Sequence, residues 1–171
     1  VYKDHDVTMD QLIEALDKNF EGEERLRQLL INKPPKYGND NEYVDGVARE
    51  MLGYCADLVQ SWEDSRHGHY SFCNLSQTVN ISHGEVCGAT PDGRKKGVAF
   101  APGANPMHGR DKNGAIASLS SVAKLRYRDS QDGISNTFSI VPKSLGATAE
   151  DRIENLVTMM DGYFIKGAHH L

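Results

Sequence analysis

The side chains capable of covalent or metal chemistry are few and scattered. Cys55, Cys73 and Cys87 are the three thiols. An odd number without a Cys-x-x-Cys pair argues against both a disulfide framework and a zinc knuckle. Cys55 falls on an apolar helical stripe and is expected to be a core thiol. Cys73, between Phe72 and Asn74, is expected to face the interior of a strand, and Cys87 to lie in a turn; none is assigned a catalytic role. His67 and His69 bring two imidazoles close, but no carboxylate or Cys stands at zinc spacing from them. His83, His108, His169 and His170 complete no ligand set either, so no metal site is expected.

The segment from Gly84 to Gly114 is rich in Gly and Pro and has little periodicity. An irregular segment of that length inside a compact protein generally serves a site or supports one. It carries neither Gly-x-Gly-x-x-Gly nor the phosphate-cradling Gly-x-x-x-x-Gly-Lys pattern. Thr90-Pro91-Asp92-Gly93 reads as a tight turn, with Pro fixing φ and Gly accepting positive φ. Arg94, just after it, is expected to pair with a carboxylate across the structure. Met107-His108-Gly109-Arg110-Asp111 reads as a charged, hydrogen-bonded elbow.

These residues must be held by surrounding elements. Thr8 with Gln11 forms a capping box ahead of Leu12, Ile13, Leu16 and Phe20 on one stripe. Leu26, Leu29 and Leu30 mark a second helix, ended by Pro34-Pro35. Val44, Val47, Ala48, Met51, Leu52, Cys55, Leu58, Val59 and Trp62 keep a three-four rhythm that predicts a long helix with that stripe in the core. Tyr70 to Ser82 is predicted as a strand and Ala115 to Leu125 as a tightly packed small-residue helix. Ile134 to Val141 is predicted as a buried strand. A last helix begins at Thr148, which with Asp151 resembles a cap, and carries Ile153, Leu156, Val157, Met160 and Phe164 on its stripe. Helices alternating with isolated strands predict an α/β arrangement whose strands pair through helical crossovers.

Composition excludes several classes. With 171 residues, 39% hydrophobic and 25% charged, the chain is long enough for a real core and unlike a disordered one. A net charge of −5 leaves no basic stripe for nucleic acid. No apolar run approaches the roughly 18 residues of a membrane span. The polar, acidic start Val1-Tyr2-Lys3-Asp4-His5-Asp6 is unlike a signal peptide, so a cytoplasmic location is expected. The missing initiator Met, the abrupt stop at Gly167-Ala168-His169-His170-Leu171 and too few strands for a full sheet lead us to expect a fragment.

Several strings together resemble one family. They are Gly88-Ala89-Thr90-Pro91-Asp92-Gly93-Arg94, Pro102-Gly103-Ala104-Asn105-Pro106-Met107-His108-Gly109-Arg110-Asp111, Ser121-Val122-Ala123-Lys124-Leu125 and the run from Asp132 to Pro142. Asp161-Gly162-Tyr163-Phe164 and Gly167 to Leu171 continue the series, and Pro35 to Asp40 with Val44-Asp45 precede it. In this order they resemble the late part of the pyruvate formate-lyase (formate C-acetyltransferase) family of glycyl radical enzymes. The resemblance implies part of a ten-stranded α/β barrel with surrounding helices. Residues 1–97 would be late barrel, and residues 103–171 the start of a glycine radical domain truncated before the radical glycine.

What that family does is implied by the resemblance alone. A glycyl radical, installed by a radical-SAM activating enzyme, takes hydrogen from a Cys thiol, and the thiyl radical attacks a small-molecule substrate. In the acetyltransferase, pyruvate and coenzyme A become formate and acetyl-CoA, with no metal in the lyase subunit. The family's Arg-Val-Ser-Gly-Tyr string and its catalytic Cys loop do not occur in this chain. Both are expected in the remainder of its own polypeptide, and the fragment alone is expected to be inactive; a homodimer is a further partner the resemblance allows. By the same resemblance Leu75 and Gln77 line the substrate cavity, while Arg94, His108, Arg110 and Asp111 support the radical domain. Gln77 places an amide where the acetyltransferase has a hydrocarbon, and the first 40 residues look closer to the dehydratase and decarboxylase branches. The alternatives are therefore a glycyl radical dehydratase, eliminase or decarboxylase, or a non-catalytic structural or repair module.

Overall fold

A computed structural model describes residues 4–169; Val1, Tyr2, Lys3, His170 and Leu171 lie outside the described residues. The expectation for the first three residues and for His170 as a possible ligand therefore has no structural counterpart. The elements run α1 (Met9–Asp17), α2 (Glu24–Asn32), α3 (Glu42–Gln60), β1 (Phe72–Asn74), α4 (Val79–Val86), α5 (Ala115–Ala123), β2 (Ser130–Ile134) and α6 (Ala149–Ile165). The chain forms two compact units. One takes residues 4–35 and 78–100, the other residues 36–77 and 101–169.

In the first unit the capping box at Thr8 and Gln11 forms as the sequence predicts, with bonds of 3.0 and 3.2 Å. Val7, Leu12, Ala15, Phe20 and Leu30 make its core, with Leu26 and Leu29 against them. Phe20 does not extend α1. Its backbone turns to φ 60°, an uncommon conformation for a bulky residue, and its N–H bonds back to the Ala15 carbonyl at 2.7 Å. Burying the ring drives the turn that ends the helix.

The second unit is built on α5. Six consecutive residues, Ser118 to Ala123, are buried, so the helix is covered all round beyond its first turn, as its small side chains allow, while Ile116 in that turn stays exposed. Leu119, Val122, Tyr127, Ile134, Met159 and Tyr163 pack together around it. The strands β1 and β2 pair in parallel, Phe72 with Ser130 and Asn74 with Ile134, across a bulge. Parallel pairing through long crossovers is what the element order predicts.

Four sequence expectations need correction. The strand predicted over Tyr70–Ser82 stops at Asn74, and Val79 and Ile81 lie in α4 instead. The strand predicted over Ile134–Val141 lies earlier, at Ser130–Ile134. The apolar stripes of α3 and α6 are only partly inward. Ala48, Leu52 and Leu156 pack on the core, but Val47, Met51, Leu58, Trp62, Ile153, Val157 and Phe164 are exposed. Both helices carry apolar residues on two faces, and periodicity alone cannot say which one the described chain covers. Finally, Cys55 and Cys73 are exposed rather than interior, as is Cys87.

Candidate functional site

The motif strings in the second unit converge on the loop Lys36–Asp40. Gly38 has φ 93°, and a Cβ there would overlap the Pro106 ring, so only glycine lets the two loops touch. Asn39 is the hub. Its amide donates to the carbonyls of Arg110 at 2.8 Å and Lys36 at 3.1 Å. Its side-chain oxygen accepts from the N–H groups of Lys112 at 2.7 Å and Asn113 at 3.1 Å. The Asn113 amide returns a bond to the Asn39 carbonyl. One side chain thus fixes the exit of the Met107–Asp111 elbow, which turns through an Arg110 N–H to Met107 carbonyl bond with Gly109 at φ 72°.

Beside the hub, the Ser121 hydroxyl accepts from the Asp40 N–H at 2.9 Å. Lys124, at the end of α5, reaches three carboxylates: Asp40 at 2.7 Å, Glu42 at 2.6 Å and Asp45 at 2.9 Å. Asp45 is only 1% exposed. Burial pulls the Lys124 pKa down, but the hydrogen bonds its ammonium donates to Asp40, Glu42 and Asp45 outweigh it and hold it well above its usual range. The bond from Lys124 in turn keeps Asp40 below the usual carboxylate range, against burial. Lys124 is therefore a fixed cation, locking the loop, α3 and α5 together; it is not a base.

Behind this lies a buried hydroxyl pair, Tyr127 to Tyr163 at 2.8 Å, with the Tyr127 ring against His169 at 5.1 Å between centroids. Burial pushes both phenols up, and for Tyr163 hydrogen bonding to Tyr127 and Asn136 offsets part of the rise. Burial raises Tyr37 in the same way, with Asp45 adding to it. All three stay protonated at neutral pH. Tyr37 also lines a mainly apolar cavity of about 360 Å³ with Met51, Leu52, Cys55, Asn74 and Asn105.

Each residue singled out from the sequence has a definite place. Leu75 and Gln77 follow β1 and are both exposed in the described chain. Arg94 is 2% exposed, and its expected carboxylate partner is replaced by backbone. Its guanidinium donates to the carbonyls of Val98 at 2.8 Å, Lys95 at 3.1 Å, Gly84 at 3.3 Å and Gly88, and lies 4.0 Å from the Phe100 ring centroid. The preceding turn forms as predicted, with Gly93 at φ 90° and its N–H bonded to the Thr90 carbonyl. His108 is exposed, Arg110 is half-buried in the elbow and Asp111 accepts from the Ser118 hydroxyl at 3.3 Å. The elbow and α5 belong to one unit, while Arg94 belongs to the other. Among the histidines, His67 meets Glu63 at 3.0 Å on the surface. Among the described residues no three His, Cys, Asp or Glu side chains gather as a metal set, and no helix is long and apolar enough to cross a membrane.

Sequence reasoning assigned no role to Asn39, Asp45, Ser121, Lys124, Tyr127 or Tyr163. The signal for two of them was present: Asp45 is an acid on the inward face of α3, and Lys124 is the cation that follows a helix of small residues.

Known proteins match along nearly the whole chain. The pyruvate formate lyase-like profile matches residues 1–84, and the glycine radical profile matches residues 100–171. Formate acetyltransferase of Haemophilus influenzae is 43% identical over 162 residues, 92% of this chain and 20% of that protein. Two solved structures are similar in fold. The glycerol-bound B12-independent glycerol dehydratase of Clostridium butyricum has a TM-score of 0.88 at 31% identity, covering 99% of this chain and 21% of its own. Hydroxyproline dehydratase of Clostridioides difficile, with trans-4-hydroxy-L-proline bound, has a TM-score of 0.84 at 32% identity, covering 95% and 20%. The chain belongs to the glycyl radical enzyme family. It spans about a fifth of the length of these relatives.

Proposed function

We propose that the polypeptide to which this chain belongs is a formate C-acetyltransferase, converting pyruvate and coenzyme A to formate and acetyl-CoA. The observation carrying this reading is the 43% identity to a formate acetyltransferase, against 31 and 32% to the two dehydratases. On this reading the chain supplies scaffold to a ten-stranded barrel. Residues 1–97 belong to the barrel and 103–171 open the glycine radical domain. The radical glycine and the reactive thiol lie outside it. Leu75 and Gln77 face substrate once the barrel is complete. Arg94 shapes the turn beyond them, while His108, Arg110 and Asp111 shape the elbow that carries the radical domain. A closed, dry cavity is the contribution such scaffold makes, because water and oxygen quench carbon radicals. A radical-SAM activating enzyme is the required partner, coenzyme A the co-substrate, and the cytoplasm the compartment; the lyase subunit needs no metal.

Anaerobic activation of the full-length polypeptide tests this. The expected result is a glycyl doublet in the electron paramagnetic resonance spectrum, followed by formate and acetyl-CoA in equal amounts. A doublet without acetyl-CoA refutes the assignment. A second reading, dehydration of a small diol or hydroxylated amino acid, is favoured by one feature: Gln77 offers an amide that can bind a hydroxyl. Glycerol or hydroxyproline turnover by the activated protein would establish it.

A further inference from the structure

The lyase-like match ends at residue 84 and the glycine radical match begins at residue 100, yet one compact unit draws on both. Its sheet pairs β1, from the first match, with β2, from the second. Helix α5, in the second match, is gripped along its length by one run of the first, Asn39–Asp45. At its entry α5 has no side-chain cap of its own; its N-cap is Gly114, at φ 87°. The Asn39 side chain instead holds the residues just before it, through the N–H groups of Lys112 and Asn113 and the carbonyl of Arg110. Midway the Asp40 N–H bonds the Ser121 hydroxyl, and at the exit Lys124 meets Asp40, Glu42 and Asp45. In turn α5 places α6. Leu119 and Val122 pack with Met159 and Tyr163, and the Lys166 ammonium donates to the Ser120 hydroxyl at 2.6 Å.

Asn39 makes every bond its amide can make. Its two amide hydrogens go to two carbonyls, and its two oxygen lone pairs accept from two N–H groups. A fully satisfied network of this kind fixes one geometry. Aspartate has the same shape but no hydrogen to donate, and would set a carboxylate oxygen against the Arg110 and Lys36 carbonyls. We propose that Asn39 is a positioning residue for the radical reaction: by placing the entry of α5, it holds the glycine radical segment in register with the lyase segment. The inference rests on the family reading above, in which a glycine on one side exchanges hydrogen with a thiol on the other. Such a transfer tolerates little displacement; a misplacement of about 1 Å can cost on the order of 100-fold in rate.

Hydrogen exchange at the radical of the full-length protein tests this. After anaerobic activation in D2O the thiol carries deuterium. The glycyl radical takes deuterium from the S–D bond, forming a C–D bond and leaving a thiyl radical. The return transfer moves hydrogen or deuterium from the glycine carbon to sulfur, and the S–H so formed exchanges with solvent. The doublet, which arises from the glycine α-hydrogen, therefore collapses to a singlet at a rate set by the transfer, with no substrate present. Asn39→Asp is expected to slow that collapse by at least about tenfold. Before activation, its amides in the Met107–Asp111 elbow should exchange faster, while those of residues 84–100, in the other unit, stay unchanged. Asn113→Ala, which removes only the return bond to the Asn39 carbonyl, should slow the collapse less. Collapse at the wild-type rate in Asn39→Asp overturns the proposal, however far the thermal midpoint falls; if that variant does not fold, wild-type collapse in Asn113→Ala overturns it. A wild type whose doublet persists in D2O also overturns it, there being no transfer to position. A collapsing doublet in a protein that makes no acetyl-CoA refutes the acetyltransferase assignment alone.

Discussion

Replacing Lys124 by Met should open the loop–α3–α5 junction, and the size of the effect follows from burial. Glu42 is almost fully exposed and Asp40 nearly half exposed, so their ion pairs are worth at most about 1 kcal/mol each. Asp45 differs. It is 1% exposed, and among the described residues the side chain that bonds its carboxylate is Lys124, at 2.9 Å. Removing one member of a buried pair costs about 3–5 kcal/mol, because an uncompensated charge is left behind. Native-state hydrogen exchange on the full-length protein, read by mass spectrometry, reports this locally. Amides in the first turns of α3 should exchange on the order of 100- to 4,000-fold faster in Lys124→Met, at 1.4 kcal/mol per factor of ten. Adding Asp45→Asn should recover most of that loss, since the stranded charge is gone. The pH dependence follows from the two shifts. The lowered Asp40 contributes stability above its ordinary pKa near 4 and loses it as pH falls through the depressed value. The raised Lys124 contributes below about 10.4 and loses its part only as pH climbs beyond that. The difference between wild type and Lys124→Met should therefore be flat from about pH 5 to 10 and shrink in acid. A Lys124→Met protein with unchanged α3 exchange, or one that Asp45→Asn fails to rescue, refutes the reasoning.

Three further outcomes follow from the same structure. Arg94→Met strands four carbonyls, that of Gly84 buried and the other three part-buried, and should speed exchange across residues 84–100, at a cost of about 1–3 kcal/mol; Arg94→Lys should recover only part, since one ammonium cannot reach all four. Gly38→Ala combines a positive φ with an overlap on Pro106 and should lower stability by about 1–3 kcal/mol, seen as a fall in the thermal midpoint. Tyr127→Phe leaves the Tyr163 hydroxyl without its 2.8 Å partner and should cost about 1–2 kcal/mol in the same measurement.

Local signals were legible where the chemistry is local. Both capping boxes, at Thr8 with Gln11 and Thr148 with Asp151, can be read from four residues each, and both form. The Thr90–Gly93 turn needed only its Pro and Gly. The small residues of α5 foretold its burial. The sides of α3 and α6 were not legible, since each helix is apolar on two sides and periodicity does not rank them; in α3 the stripe with the larger residues is the exposed one, while in α6 Met159 and Tyr163 are buried and Ile153, Val157 and Phe164 are not. The strand after Tyr70 was over-extended because Val79 and Ile81 favour β structure by type, yet they enter α4. At the junction, the strings holding Asn39 and Lys124 stood out by resemblance, but their roles did not. An asparagine serving three backbone segments, or a lysine serving three acids, depends on loops up to about 80 residues apart, and no spacing rule reports such contacts.

The grip on Arg94 has a consequence for conditions. Its guanidinium is held by carbonyl oxygens and a ring face, none of which gains or loses a proton. Being buried, it is also out of reach of dissolved ions. The bend it braces should therefore keep its shape as acid accumulates or ionic strength rises, conditions under which the Lys124 junction would loosen first.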